Sequence, residues 1–187
     1  RTKAGNYRAA DIVIIENERR FCSFDFQEGK GAEGVHWWGL CDQFNRTGDS
    51  KRIAFNRLES WADCRAFQLA HGIADSATYC DAGHRDKEVF AKCSQWHWYA
   101  LISSDTELFH HTVTIDGKPT QVPNPYFTQT QPQDSMSGQK SKVMRKRGIV
   151  PLPGQRLPQG WCYSRTWSKP NVGFLLLRLK SGLAGVD

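Results

Sequence analysis

Six cysteines, Cys22, Cys41, Cys64, Cys80, Cys93 and Cys162, are the side chains of this 187-residue chain best equipped for chemistry. Five fall in the first half, and the sixth follows its nearest neighbour by 69 residues. A set of this size in a chain rich in Trp, Thr and Gly reads as three disulfides formed outside the reducing cytosol. Roughly 15 pairings are open at this level. Because five is odd, complete pairing must send at least one bridge out of the early group, with Cys162 as its partner, closing a long loop.

Zinc is the rival chemistry. Cys80, His84, Cys93 and His97 follow the spacing Cys-x3-His-x8-Cys-x3-His, and thiolate with imidazole suits a tetrahedral zinc site. The usual finger keeps its two cysteines close together and its two histidines close together, and a site here would leave four cysteines unexplained. Disulfides are therefore the expectation, with no cofactor.

Acid–base chemistry would fall to His97, His110 or His111 with Glu107, a metal-free arrangement suited to a small secreted nuclease. His110 and His111 are adjacent on an expected strand, so they face opposite sides and do not act as a pair. The alternative is that these are strand histidines with satisfied ring nitrogens. Gly-x-Ser-x-Gly and His-Glu-x-x-His are both absent, and scattered acids cannot be paired from sequence. Gly29-Lys30-Gly31-Ala32-Glu33-Gly34 matches no phosphate-binding fingerprint and reads as a hairpin or wide loop.

The formal charge of +6 is unevenly spread. Residues 1–117 carry 14 basic and 17 acidic side chains, and residues 118–187 carry 11 and 2. Lys140, Lys142, Arg145, Lys146 and Arg147 form a basic block that could meet phosphates while Trp161, Tyr163 and Trp167 stack on bases. The competing reading puts those aromatics inside a sheet and makes the block a solvated loop. Arg145-Lys146-Arg147 also has the form of a site for secretory-pathway proteases. Asn45-Arg46-Thr47 is an N-glycosylation acceptor. Arg1 in place of Met fits a chain whose signal peptide has been removed.

Several elements must position these groups. A hydrophobic fraction of 39% excludes wholesale disorder, and nothing approaches 18 consecutive apolar residues. Asp11–Glu16 and the alternating segment around Cys22, Phe24 and Phe26 read as strands. The main helix is expected to begin after Asp49-Ser50, to carry Leu58, Trp61, Ala62, Ala66, Leu69 and Ala70 on one face, and to stop at Gly72. Asp81–Lys92 is weakly helical, and Ser94–Ser103 alternates as an aromatic strand. Leu108–Ile115 and Thr120–Val122 form a hairpin about Asp116-Gly117. Residues 123–158 read as a Pro/Gln/Ser-rich loop, and Trp161–Trp167 and Val172–Lys180 as the last strands, the second of them central in a sheet.

Taken together, the early cysteine group, one main helix over Asp49–Gly72 and a strand-rich second half from Glu107 to Asp187 resemble the cysteine-rich effectors of plant-pathogenic fungi. The resemblance is to the Fusarium secreted-in-xylem effectors with a dual-domain fold. It implies an α+β, mostly β protein, with a helix-plus-curved-sheet domain over residues 1–104 and a β-sandwich domain over 105–187. It further implies a secreted virulence factor that binds a host protein and is detected by plant immune receptors, acting as a monomer, with entry into host cells left open. It carries over no catalytic residues.

Overall fold

The computed structural model describes residues 19–29, 34–45, 50–134 and 156–180. Among them the chain is mostly β. In order, the elements are β1 (Arg19–Glu28), β2 (Val35–Phe44), β3 (Ser50–Leu58), α1 (Trp61–Ala70), β4 (Thr78–Asp81), α2 (Asp86–Trp96) and β5 (Tyr99–Ser104). They continue as β6 (Phe109–Ile115), β7 (Lys118–Asn124), β8 (Gln131–Asp134), β9 (Trp161–Ser168) and α3 (Lys169–Lys180). Seven strands form one mixed sheet in the order β3-β2-β1-β4-β5-β9-β8, and β6 and β7 form a separate hairpin. The four central strands β1, β4, β5 and β9 run parallel, while β2 is antiparallel to β1, β3 to β2 and β8 to β9.

Alternation along β1 decides which face is buried. Cys22, Phe24 and Phe26 point into the core opposite Cys41, Gly39 and Trp37 of β2, and the helices cover that face. The core joins these residues to Cys64 and Phe67 of α1, Val89, Phe90 and Cys93 of α2, and Trp98. Phe24 stacks on Trp98 at 5.1 Å and meets Phe67 edge-on at 6.1 Å. Gly39 is required beneath this contact, because a Cβ there would lie 2.7 Å from Leu58 Cδ1 and 3.2 Å from Phe24 Cε1.

Three expectations are corrected. The segment after Ser50 is an edge strand, not the start of the helix. Its residues pair with β2 from Trp37↔Leu58 to Phe44↔Ser50, with a bulge at Cys41/Asp42. The helix begins instead at Ser60, whose hydroxyl accepts the Asp63 N–H at 3.1 Å. Residues 94–96 belong to α2, whose buried stripe is Val89, Phe90, Cys93 and Ser94. His97, with φ of 60°, turns the chain into β5. Residues 172–180 lie in helix α3 rather than in a central strand, and Phe174 and Leu177 are 60% and 65% exposed. Leu, Arg and Lys are strong helix formers, and that preference prevails where no strand partner claims the run.

Other readings hold. β6 and β7 pair from Phe109↔Asn124 to Ile115↔Lys118. Asp116 and Gly117 both adopt positive φ, as a type I′ turn requires. Gly29 N–H donates to Gly34 O at 2.8 Å, closing the loop between β1 and β2. The expected strand Asp11–Glu16 lies outside the described residues. β8 and β9 join β5 in the large sheet, so strands from both sides of the expected boundary at residues 104 and 105 share it. A sandwich over 105–187 is not what these strands build: two enlarge the common sheet and two make the isolated hairpin. Among the described residues no helix is long and apolar enough to cross a membrane.

Candidate functional site

All six cysteines sit in one core cluster, 0 to 2% exposed. No S–S bond is drawn among them in the structure. Cys22 and Cys41 face each other across β1 and β2, Cys64 and Cys93 come from α1 and α2, and Cys80 and Cys162 from β4 and β9. Burial raises every thiol. It pushes Cys64 and Cys162 up to about 12, with nearby Asp63 and Asp134 respectively adding to the rise. Such thiols are poor nucleophiles and poor candidates for covalent catalysis.

The zinc alternative fails on placement. His84 lies just before α2 and His97 caps its far end, so an 11-residue helix, about 16 Å long, separates them. His84 instead pairs with Glu28 at 3.0 Å and stacks on Phe26, while Arg85 covers the other contact with that ring. The hydrogen bond from His84, then its charge, holds the Glu28 carboxyl below the usual range. Among the described residues, no group of three or more His, Cys, Asp or Glu is arranged to hold a metal.

The expected acid–base set is also dispersed. His97 precedes β5, and Glu107, His110 and His111 follow it, so six extended residues, roughly 20 Å, lie between. His110 is exposed, and His111 is half-buried with its Nε2 2.7 Å from Phe127 O. His97 alone of these lines a cleft, of about 440 Å³, at the N-terminal ends of β4, β5 and β9, together with Asp75, Tyr99, Arg156, Trp161 and Tyr163.

The cleft's acid is committed to structure. Asp75 accepts from Arg65 and, at 2.9 Å, from Gln68. Gln68 is fully buried, donates to Ile73 O at 3.0 Å and accepts from Trp98 Nε1 at 3.1 Å. Burial works to raise the Asp75 carboxyl, but the hydrogen bonds from Arg65 and Gln68 outweigh it and hold the carboxyl below its ordinary value. Asp75 is thus an ionised anchor, with its oxygens used for fixing α1 to the turn before β4.

Sequence reasoning missed two features. Asp25 and Asp81 follow the paired residues Phe24 and Cys80 on neighbouring strands and share the face opposite the helices. Burial first, then the Asp25 charge, raises the Asp81 carboxyl. Only the β1–β4 crossover brings these acids together, and they are 56 residues apart in the chain. The second feature lies on edge strand β3. Phe55 is 52% exposed and stacks on Trp38 at 4.8 Å and 8°, with Arg57 and Arg52 along the same strand. Arg52 bonds Asp42, and Ile53 is also exposed. The signal lies in Ile53-Ala54-Phe55, which fall inside the helix expected over Asp49–Gly72.

Trp161 and Tyr163 are 4% and 8% exposed and pack with Leu157, so they are not free to stack on bases. The basic residues Lys140, Lys142, Arg145, Lys146 and Arg147 lie outside the described residues, as do Arg46 and Thr47 of the glycosylation triplet. Asn45 is half-buried just after β2. No family model, curated protein or solved structure matches this chain.

Proposed function

We propose that the protein is a secreted effector that binds a host protein, with no reaction of its own, and that its scaffold is held by disulfides. The carrying observation is Phe55 on the long edge strand β3, half exposed between Arg52 and Arg57 and stacked on Trp38 of β2. Aromatic and arginine side chains are the usual energetic anchors of protein interfaces, and an edge strand offers unpaired backbone groups beside them. Three further points support the reading. The six cysteines share one core, the candidate histidines are dispersed, and the cleft acid is tied into an ion pair. The partner is a plant protein, an immune receptor among the candidates, and the effector acts as a monomer.

The test is cross-linking of the secreted protein in host extracellular fluid, followed by titration with the purified adduct partner. The wild type should bind one defined host protein, and Phe55→Asp should weaken that binding at least about tenfold while lowering the thermal midpoint by no more than about 5 °C, the loss expected from the Trp38 stack alone. Hydrolysis of RNA by the wild type that disappears in His97→Ala would contradict the proposal and transfer the function to the cleft.

A further inference from the structure

The topology of the sheet restricts which cysteines can be joined. A disulfide needs Cα atoms within about 7 Å, whereas neighbouring strands lie about 4.8 Å apart. Four cysteines are on strands of the one sheet: Cys41 on β2, Cys22 on β1, Cys80 on β4 and Cys162 on β9. Cys22 and Cys41 are direct cross-strand partners. Every other strand pair is out of reach. Cys80 is two strands from both Cys41 and Cys162, roughly 10 Å, and Cys162 is further still from Cys22 and Cys41. Cys22 and Cys80 are on adjacent strands, but Cys22 pairs with Thr78 and Cys80 with Phe24. That two-residue offset puts them about 8 Å apart.

Two cysteines remain, Cys64 on α1 and Cys93 on α2. If all six are bridged, Cys22 must take Cys41, because four strand cysteines cannot each find a helix partner when there are only two. Cys64 and Cys93 cannot take each other, since Cys80 and Cys162 would be left beyond reach. Each helix cysteine therefore bridges one of Cys80 and Cys162. α2 lies across β4, β5 and β9, whereas α1 lies over β2 and β3 at the other end of the sheet. Among the sulfur neighbours, Cys22 has Cys41 and Cys64, Cys80 has Cys64 and Cys22, and Cys93 has Cys80 and Cys162; Cys162 has Cys93 beside it and not Cys64, which separates the two remaining choices.

We propose that the oxidised protein carries the bridges Cys22–Cys41, Cys64–Cys80 and Cys93–Cys162. The first joins β1 to β2, the second staples α1 to β4, and the third ties α2 to β9 and so links the early cysteine group to the second half of the chain. Each forms by exchange with an oxidised dithiol oxidoreductase. One cysteine thiolate attacks the enzyme's disulfide to give a mixed disulfide, and the second displaces the enzyme's sulfur. Each cysteine pair gives up two electrons and two protons, and the oxidoreductase is left as its dithiol. The connectivity rests on the extracellular reading above, which supplies the oxidising compartment.

The experiment is tryptic peptide mapping, without reduction, of the full chain secreted from a eukaryotic cell. Lys30, Lys51, Arg65, Arg85 and the basic residues after Cys93 separate all six cysteines onto different peptides. The expected result is three cross-linked pairs at the positions named. A second measurement uses Cys162→Ser labelled in denaturant without reduction, in which alkylation should rise from none to complete at Cys93 and at no other cysteine. Any other pairing, or one pair left open, overturns the connectivity while leaving the extracellular reading intact. Six free thiols in the secreted protein overturn both.

Discussion

Burial shapes what each cysteine can do. A thiol raised to about 12, as at Cys64 and Cys162, is about 10⁻⁴ ionised at pH 8, against about a quarter for an unperturbed one near 8.5. Alkylation of the folded, reduced protein at those two positions should therefore run roughly 10³-fold slower than in denaturant, as measured by mass-resolved labelling. Equal rates in the two conditions would mean that the core opens freely. On the proposed connectivity, the bridges form while the chain is folding, before these sulfurs lose their reactivity. Gln68 is the other residue on which the core depends. Gln68→Leu keeps much of the volume but leaves Trp98 Nε1 and Ile73 O without their partner, so it should cost about 2–4 kcal/mol in urea unfolding. A loss below about 0.5 kcal/mol would show the network to be incidental.

Elements of the fold were legible to different degrees. The strand through Cys22, Phe24 and Phe26 was readable because one face is buried and the other open, which imposes a period of two. The Asp116-Gly117 hairpin was readable because its turn demands positive φ. β3 was not, because as an edge strand it is exposed on both faces and carries no period. The strand-like alternation of Trp96 and Trp98 arises at a junction, where α2 ends and β5 begins. Where α1 and β2 meet, Gly39 is decisive: Gly39→Val should be destabilising by about 1–3 kcal/mol, from the crowding of Leu58 and Phe24. Between β1 and β4, Asp81 has its carboxyl raised by burial and by Asp25. A folded-state value above the unfolded one favours the folded state below the unfolded pKa, and that advantage is lost as pH rises through the folded value. Asp81→Asn should accordingly raise the thermal midpoint at pH 7 and have no effect near pH 3, where both states are protonated. A midpoint lowered at pH 7 would mean that the turn bonds from Ala82 and Gly83 outweigh the repulsion.

Across the whole molecule, residues distant in sequence meet because β1, β4, β5 and β9 lie side by side. That is why the Asp25–Asp81 neighbours were hidden from sequence. The number of cysteines pointed to cross-links, but partner choice depends on strand order. On the proposed function, oxidised sulfurs hold α1, α2 and both halves of the sheet as one extracellular body. By loop length, closing 22–41 and 64–80 stabilises by about 3 kcal/mol each and 93–162 by about 4.5, as upper values. The most direct measurement is thermal unfolding of the secreted protein beside the same protein reduced and alkylated. The midpoint of the reduced form should fall by about 20 °C or more, or its transition should vanish. Coincident midpoints, with six thiols titrating in the untreated protein, would contradict the claim.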